Sequence, residues 1–192
     1  MRILAVDPDL HNTAWCVLDN ARVYGGVLSI SKGLKGDDAV CAMAESLQRL
    51  NHVPWIDVCD VYLVESQELH RMHKAAPKDI LRLAQVAGAA LATVSHQQPG
   101  GAIVRLVSPQ EWKGQVPKEI HQARVCKRLG WEFTTKAGYC VPNEKHLEDF
   151  GVVNLSDWKH LLDAIGLALW WAKSPDPRLN PTAPGSLSSP KG

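Results

Sequence analysis

The sequence predicts an α/β fold in which a mixed β-sheet carries helices on both faces. Three apolar segments follow one another near the start with only short polar turns between them, which is typical of an antiparallel meander. Beyond them, segments with helical periodicity alternate with short β-branched runs, which favours parallel strands joined by helices. The predicted order is β-β-β-α-β-α-β-α, then an irregular stretch and a final helix.

The first strand is apolar on both faces, and Asp7 and Pro8 end it, because proline cannot donate to a sheet ladder. A turn at Asp19–Asn20 joins the second and third strands. The Gly25–Gly26 pair in the third strand indicates either a bulge or a close approach of another chain segment. These strands are predicted at residues 3–6, 13–18 and 21–30.

The later elements follow from helix-end and turn signals. Pro77 suits a first helical position, Gly130 closes a basic helix, and Ser156 is a suitable N-cap. A basic connection at 70–76 and a loop at 110–117 are predicted, and 131–151 has no clear period. Helices are predicted at 37–51, 77–95, 117–129 and 157–171, and strands at 60–65 and 102–107.

Length and composition favour a single domain at residues 1–172 and a disordered tail rich in proline, serine and glycine at 173–192. No apolar run is long enough to cross a membrane, and the start does not resemble a signal peptide.

Five cysteines without a C-x-x-C pair favour reduced thiols and a cytoplasmic location. A zinc set of His121, Cys126, Cys140 and His146 matches no familiar spacing, so isolated roles are favoured.

The formal net charge is +1, but the positive charge is concentrated locally. The segment 105–128 has six Lys or Arg against two Glu, and 70–82 has four against one Asp. Such patches suit phosphate contacts on a near-neutral protein. The alternative is that they are ordinary solvated helix faces.

Acidic residues mark a candidate site. Asp7 and Glu65 both end apolar strands, and His160 and Asp163 share one face of the last helix. If these meet, three carboxylates and an imidazole suit Mg²⁺ or Mn²⁺, two ions of which support phosphodiester hydrolysis. Taken singly, Asp7 could only cap a turn, Glu65 could pair with an arginine, and His160 could be a structural histidine.

Four segments resemble one family. They are ILAVDP at 3–8, VYLVESQ at 61–67, LAQVAG at 83–88 and HLLDAIGLA at 160–168. In order and spacing they resemble the RuvC-type Holliday-junction resolvases of the ribonuclease H-like (retroviral integrase) superfamily. The size and divergence of the chain favour a phage-encoded member acting in a bacterial cell.

The resemblance implies a ribonuclease H-like fold with a five-stranded mixed sheet whose first three strands are antiparallel. It implies a homodimeric, metal-dependent endonuclease of DNA recombination and repair that nicks four-way junctions in pairs, with 5′-phosphate and 3′-hydroxyl products and two Mg²⁺ or Mn²⁺ ions per site. By position, Asp7, Glu65, His160 and Asp163 match the catalytic metal ligands. Lys113 and Lys118 match basic residues near the scissile phosphate, and Arg71 and Lys74 of the other basic patch are further candidate DNA contacts.

Two departures from the family pattern stand out. Asp9 occupies a position where the family usually has a glycine or other small residue, and an extra acid there could perturb metal loading. The aromatic wedge that follows the VYLVESQ segment in some members has no clear match, with Leu69 and Met72 as the only candidates.

Other functions remain open at this stage. A related nuclease could act on flaps, other branched DNA or RNA–DNA hybrids. An actin-like sugar kinase or ATPase would share an early strand-end Asp but needs a second glycine-rich loop and a duplicated domain, which the chain lacks. A non-catalytic junction-binding module would not need all four candidate ligands.

Overall fold

A five-stranded sheet forms the centre of the protein, in the order β3-β2-β1-β4-β5. A computed structural model describes residues 1–53, 56–66, 77–96, 101–136, 139–148, 150 and 157–173. Most of the predicted tail, residues 174–192, lies outside this part of the chain. The strands are β1 (Arg2–Asp7), β2 (Asn12–Asp19), β3 (Arg22–Ser29), β4 (Val61–Glu65) and β5 (Ile103–Val107).

The sheet is mixed, as the sequence predicts. β1 pairs antiparallel with β2, and β2 pairs antiparallel with β3, whereas β4 is parallel to both β1 and β5. β1 and β4 therefore lie in the interior of the sheet, and all five residues of β4 are buried. A central strand flanked on both sides is a rigid place from which to present a side chain.

Residues of the central strands alternate between two cores. On one face Ile3, Ala5 and Leu63 belong to the cluster that the last helix covers, and on the other Leu4 and Val64 belong to the cluster of the first two long helices. The continuous apolar runs of β1 and β4 arise because both faces are covered. Each fully buried leucine or isoleucine side chain contributes about 1.5–3 kcal/mol to these cores.

The long helices agree with the prediction to within a few residues. Helix α1 (Gly36–Leu47) gives way to a 3₁₀ helix at Gln48–His52, so the predicted helix to residue 51 is too long as an α-helix. α4 closes at Gly130, whose φ of 69° is in the left-handed region, as its C-cap role requires. The predicted N-cap Ser156 lies outside the described residues. The helices are α1 (Gly36–Leu47), α2 (Pro77–Ser95), α4 (Lys118–Leu129) and α6 (Trp158–Ala172).

Two regions differ from the prediction. The predicted loop at 110–117 begins inside a short helix, α3 (Pro109–Trp112), whose N-cap Ser108 accepts a hydrogen bond from the backbone of Glu111. The unassigned stretch 131–151 contains a two-stranded hairpin, β6 (Phe133–Lys136) and β7 (Tyr139–Pro142), and a short helix, α5 (Glu144–Glu148).

Gly25 marks a close approach of chain segments and not a bulge, since β2 and β3 pair in unbroken register. A Cβ at Gly25 would lie 2.6 Å from the carbonyl oxygen of Trp15 and 3.0 Å from Cδ1 of Leu161 on α6. This glycine lets the last helix lie close against the sheet. In the described part of the chain, no helix is long and apolar enough to span a bilayer.

Candidate active site

Two carboxylates lie side by side at the carboxyl edge of the sheet. Asp7 is the last residue of β1 and Glu65 the last of β4, and the parallel register pairs Val6 with Val64, the residues just before them. Both are buried, with exposed fractions of 6% and 5%. The carboxyl ends of strands in an open sheet are a common location for functional sites.

The last helix adds two further groups to this edge. α6 packs on β1 and β2 and brings Nδ1 of His160 to 2.9 Å from Oδ2 of Asp7. Asp163, one turn later, is 2% exposed and close enough to Glu65 to raise its pKa. Asp7, Glu65, His160 and Asp163 therefore lie near one another at this edge of the sheet, and we call them the acidic cluster.

Neutral and basic side chains hold the carboxylates in place. Trp112 Nε1 donates to Oε2 of Glu65 at 3.1 Å, and Nζ of Lys113 lies 3.3 Å from Oε1 of the same residue. Nζ of Lys118 lies 2.6 Å from Oδ2 of Asp163, and Nε2 of Gln122 is 3.5 Å from its Oδ1. Both lysines expected near a scissile phosphate thus contact the acidic cluster. Arg71 and Lys74, like the candidate wedge residues Leu69 and Met72, lie outside the described residues.

Burial and neighbouring charges shift the pKa values of three groups in the cluster. Burial, followed by the charges of Asp7 and Asp163, raises the pKa of Glu65 to about 8, against an opposing effect of Lys113. Burial alone would lower the pKa of Lys118, but the neighbouring carboxylates outweigh it and raise that pKa. Burial also opposes charge on His160, yet its hydrogen bond to Asp7 and the charges of Asp7 and Asp9 raise its pKa overall. The carboxylates therefore favour the charged forms of Lys118 and His160.

Asp9, the unexpected extra acid, has a local structural role. Its Oδ1 accepts hydrogen bonds from the backbone N–H of His11 at 2.9 Å and of Asn12 at 3.2 Å. It therefore caps the β1–β2 turn, a role that the sequence had left open for Asp7. Asp7 instead contacts His160.

Trp112 and Gln122 are the site residues that sequence reasoning missed. Trp112 had been assigned to a loop, although Ser108 followed by Pro109 is a helix-start signal that would have placed it on a short helix. Gln122 follows Lys118 by four residues on α4, so the same helix face presents both.

The donor set suits a hard divalent cation, because three carboxylates supply oxygen and His160 supplies one nitrogen. Over the described ranges, however, no three His, Cys, Asp or Glu side chains are grouped closely enough to hold one ion. Lysines and His160 contact the carboxylate oxygens instead. The four residues of the zinc set are not grouped as one site among the described residues either. The Sγ atoms of Cys126 and Cys140 lie 3.4 Å apart, but His146 stacks on Trp131.

The sheet order and the packing of α6 define a ribonuclease H-like α/β fold. The chain is similar to Thermus thermophilus RuvC solved in complex with a Holliday junction substrate, at 18% identity and a TM-score of 0.59, over 90% of this chain and 92% of that one. A second RuvC structure from the same organism gives 18% identity and a TM-score of 0.54, over 90% and 93% of the two chains. No family model and no curated protein matches the sequence.

This likeness confirms the predicted fold, including the resemblance to RuvC at the level of the fold. Identity of 18% does not by itself carry over an activity. The phage origin stays a prediction.

Proposed function

We propose that this protein is a metal-dependent endonuclease that resolves four-way DNA junctions. The observation that carries the proposal is the meeting of three buried carboxylates, Asp7, Glu65 and Asp163, at the carboxyl edge of a RuvC-like sheet. Burying three neighbouring acids is costly unless cations compensate them. The RuvC complex with a Holliday junction makes branched DNA the substrate to test first.

A divalent metal ion fits this site because the three carboxylates supply the oxygen ligands that such ions prefer. Burial, and after it the charge of Asp7, raises the pKa of Glu65 to about 8 although Lys113 lies beside it, so a bound cation would favour its ionised form. Asp7, Glu65, Asp163 and His160 would hold Mg²⁺ or Mn²⁺, with two ions per site as the resemblance implies. Bound metal would activate water and stabilise the leaving oxygen of the phosphodiester.

Contacts with neighbouring side chains position the carboxylates and the substrate. His160 orients Asp7, Trp112 fixes one oxygen of Glu65, and Gln122 lies beside Asp163. Lys113 and Lys118 compensate the acids and, when displaced from them, can reach an entering phosphate and stabilise its developing charge. Arg71 and Lys74 are proposed backbone contacts further out.

The dimer belongs to the same proposal. A four-way junction has two symmetric positions to cut, so two copies of the chain about a two-fold axis would supply one site to each. Each site would cut one strand and leave a 5′-phosphate and a 3′-hydroxyl.

A cleavage assay with three metals tests the proposal. A synthetic four-way junction, a flap and an RNA–DNA hybrid of matched sequence are incubated with Mg²⁺, Mn²⁺ or Ca²⁺. We expect paired nicks in the junction with Mg²⁺ and Mn²⁺, and binding without cleavage in Ca²⁺. Preferential cleavage of the hybrid or flap would support the related nuclease, and cleavage of none would contradict both.

A further inference from the structure

A basic pocket adjoins the carboxylate cluster. It has a volume of about 460 Å³ and lies between the end of α3, the second half of α4 and the second half of α6. We call it the α4–α6 pocket. Half of its ten lining residues are cationic and none is acidic; the cations are Lys113, Arg124, Lys127, Arg128 and Lys173.

Most of this charge is uncompensated within the protein. Lys113 pairs with Glu65, but Arg124, Lys127, Arg128 and Lys173 are exposed and have no ion-pair partner among the residues that the structure describes. Helix dipoles favour cations at the ends of α4 and α6. They do not explain why both ends face one cavity, or why mid-helix Arg124 joins them. A concave surface of one sign concentrates ions of the opposite sign.

The side chains at the floor of the pocket pack closely on α6, and one of them contacts the carboxylate site. A Cβ at Gly166 would lie 2.4 Å from Nε2 of His121 and 3.0 Å from the ring of Trp112, so only glycine lets both rings pack on α6. His121 meets Trp112 edge to face at 4.6 Å. Trp112 also donates to Glu65, so one side chain forms part of both the pocket and the acidic cluster.

We propose that the α4–α6 pocket binds a backbone phosphate of the cleaved DNA strand, a few nucleotides from the scissile bond. This inference rests on the proposed nuclease function. Trp170 follows Asp163 by seven residues on α6, which is ~10 Å along the axis. For duplex DNA lying along α6, with about 3.4 Å of duplex axis per nucleotide of one strand, this corresponds to two to four nucleotides. Contacts of this kind set the register of the scissile phosphate without reading sequence.

The test combines neutral DNA linkages with substitutions in opposite walls of the pocket. Full-length Asp7→Asn protein is titrated with four-way junctions that carry one methylphosphonate at each of the six positions on either side of the nick. We expect a neutral linkage two to four nucleotides away to weaken binding on the order of tenfold. Arg124→Gln and Lys173→Gln should each weaken binding to the unmodified junction similarly, lower the salt slope by about one, and remove most of the linkage effect.

Arg49→Gln is the matched control, because Arg49 is also an exposed helical arginine but follows α1, outside the pocket. It should keep the full linkage effect. If Arg124→Gln and Lys173→Gln bind no worse than Arg49→Gln, or if no linkage position matters, the inference is wrong. A third outcome would also overturn the inference. If inorganic phosphate stabilises the protein, Arg124→Gln abolishes that stabilisation and no linkage position matters, the pocket binds a free phosphate and not the DNA backbone.

The nuclease proposal is judged separately by cleavage with the unsubstituted protein. Cleavage with no pocket effect overturns the pocket inference alone. A position-specific linkage effect without cleavage retains the phosphate contact and overturns the nuclease proposal. Failure to bind any DNA overturns both.

Discussion

At the scale of single residues, the site is defined by buried acids, and a basic contact does not by itself keep a buried acid charged. Glu65 shows this most clearly, because it is buried, touches Lys113 and Trp112, and still has its pKa raised to about 8. The causes are burial first and then the neighbouring carboxylates. The sequence predicted the identity of these acids from strand ends and helix spacing, but not how lysines and Trp112 would share their oxygens.

The raised pKa of Glu65 predicts a pH dependence of stability in the absence of metal. Between about 4.5 and 8 the folded protein holds a proton on Glu65 that the unfolded chain releases. The free energy of unfolding therefore falls as pH rises through this window, by at most about 1.4 kcal/mol per pH unit from this group. Denaturant unfolding in a chelator from pH 5 to 8 measures it.

Glu65→Gln should remove this component, so the stability difference between variant and wild type should grow in favour of the variant as pH rises. The exposed Glu45→Gln is the control and should follow the wild type at every pH. A difference between wild type and Glu65→Gln that does not change with pH would contradict the raised pKa.

At the scale of elements, the site depends on how closely α6 packs against its neighbours. Gly25 on β3 and Gly166 on α6 each leave room for a contact that a Cβ would obstruct. α6 itself was predictable from its apolar period and its His160–Asp163 pair. α3 was not predicted, because four residues give no measurable periodicity and only the Ser108–Pro109 start signal marks it. The β6–β7 hairpin was missed because its exposed residues lack clear alternation.

Gly166→Ala should therefore destabilise the protein by about 1–3 kcal/mol and slow cleavage, since His121 or Trp112 must move and Trp112 holds Glu65. Gly88→Ala in α2 is the matched control. Its added Cβ would meet nothing within 4 Å, so the same change should stabilise by about 0.4–1 kcal/mol. Denaturant unfolding of both variants measures the contrast, and equal effects would show that the close approach at Gly166 costs nothing.

At the scale of the whole molecule, the fold brings residues from distant parts of the chain to one edge of the sheet. The succession of elements and the mixed sheet with helices on both faces could be predicted because apolar runs, turn residues and helical periods are local signals. The α4–α6 pocket could not, because it joins three helices whose mutual placement no local pattern specifies. The composition of segment 105–128 predicts a basic surface but does not predict that part of this surface is concave.

Divalent metal should stabilise the molecule if the three carboxylates bind it. Saturating Mn²⁺ or Mg²⁺ should raise the Tm by roughly 5 °C, since an ion at a hundred times its Kd adds about 2.7 kcal/mol. Asp163→Asn should lose most of this shift, whereas the exposed Asp38→Asn should keep it. A thermal shift that is the same in both variants would place metal binding elsewhere.

The most direct test of the central claim is the nicking rate of a labelled four-way junction in Mg²⁺, compared between wild type and Asp7→Asn, with junction affinity measured in Ca²⁺. We predict that the substitution lowers the rate on the order of 10³-fold or more and leaves the affinity within a few-fold of wild type. Cleavage by Asp7→Asn at the wild-type rate would contradict the assignment of this acidic cluster as the active site.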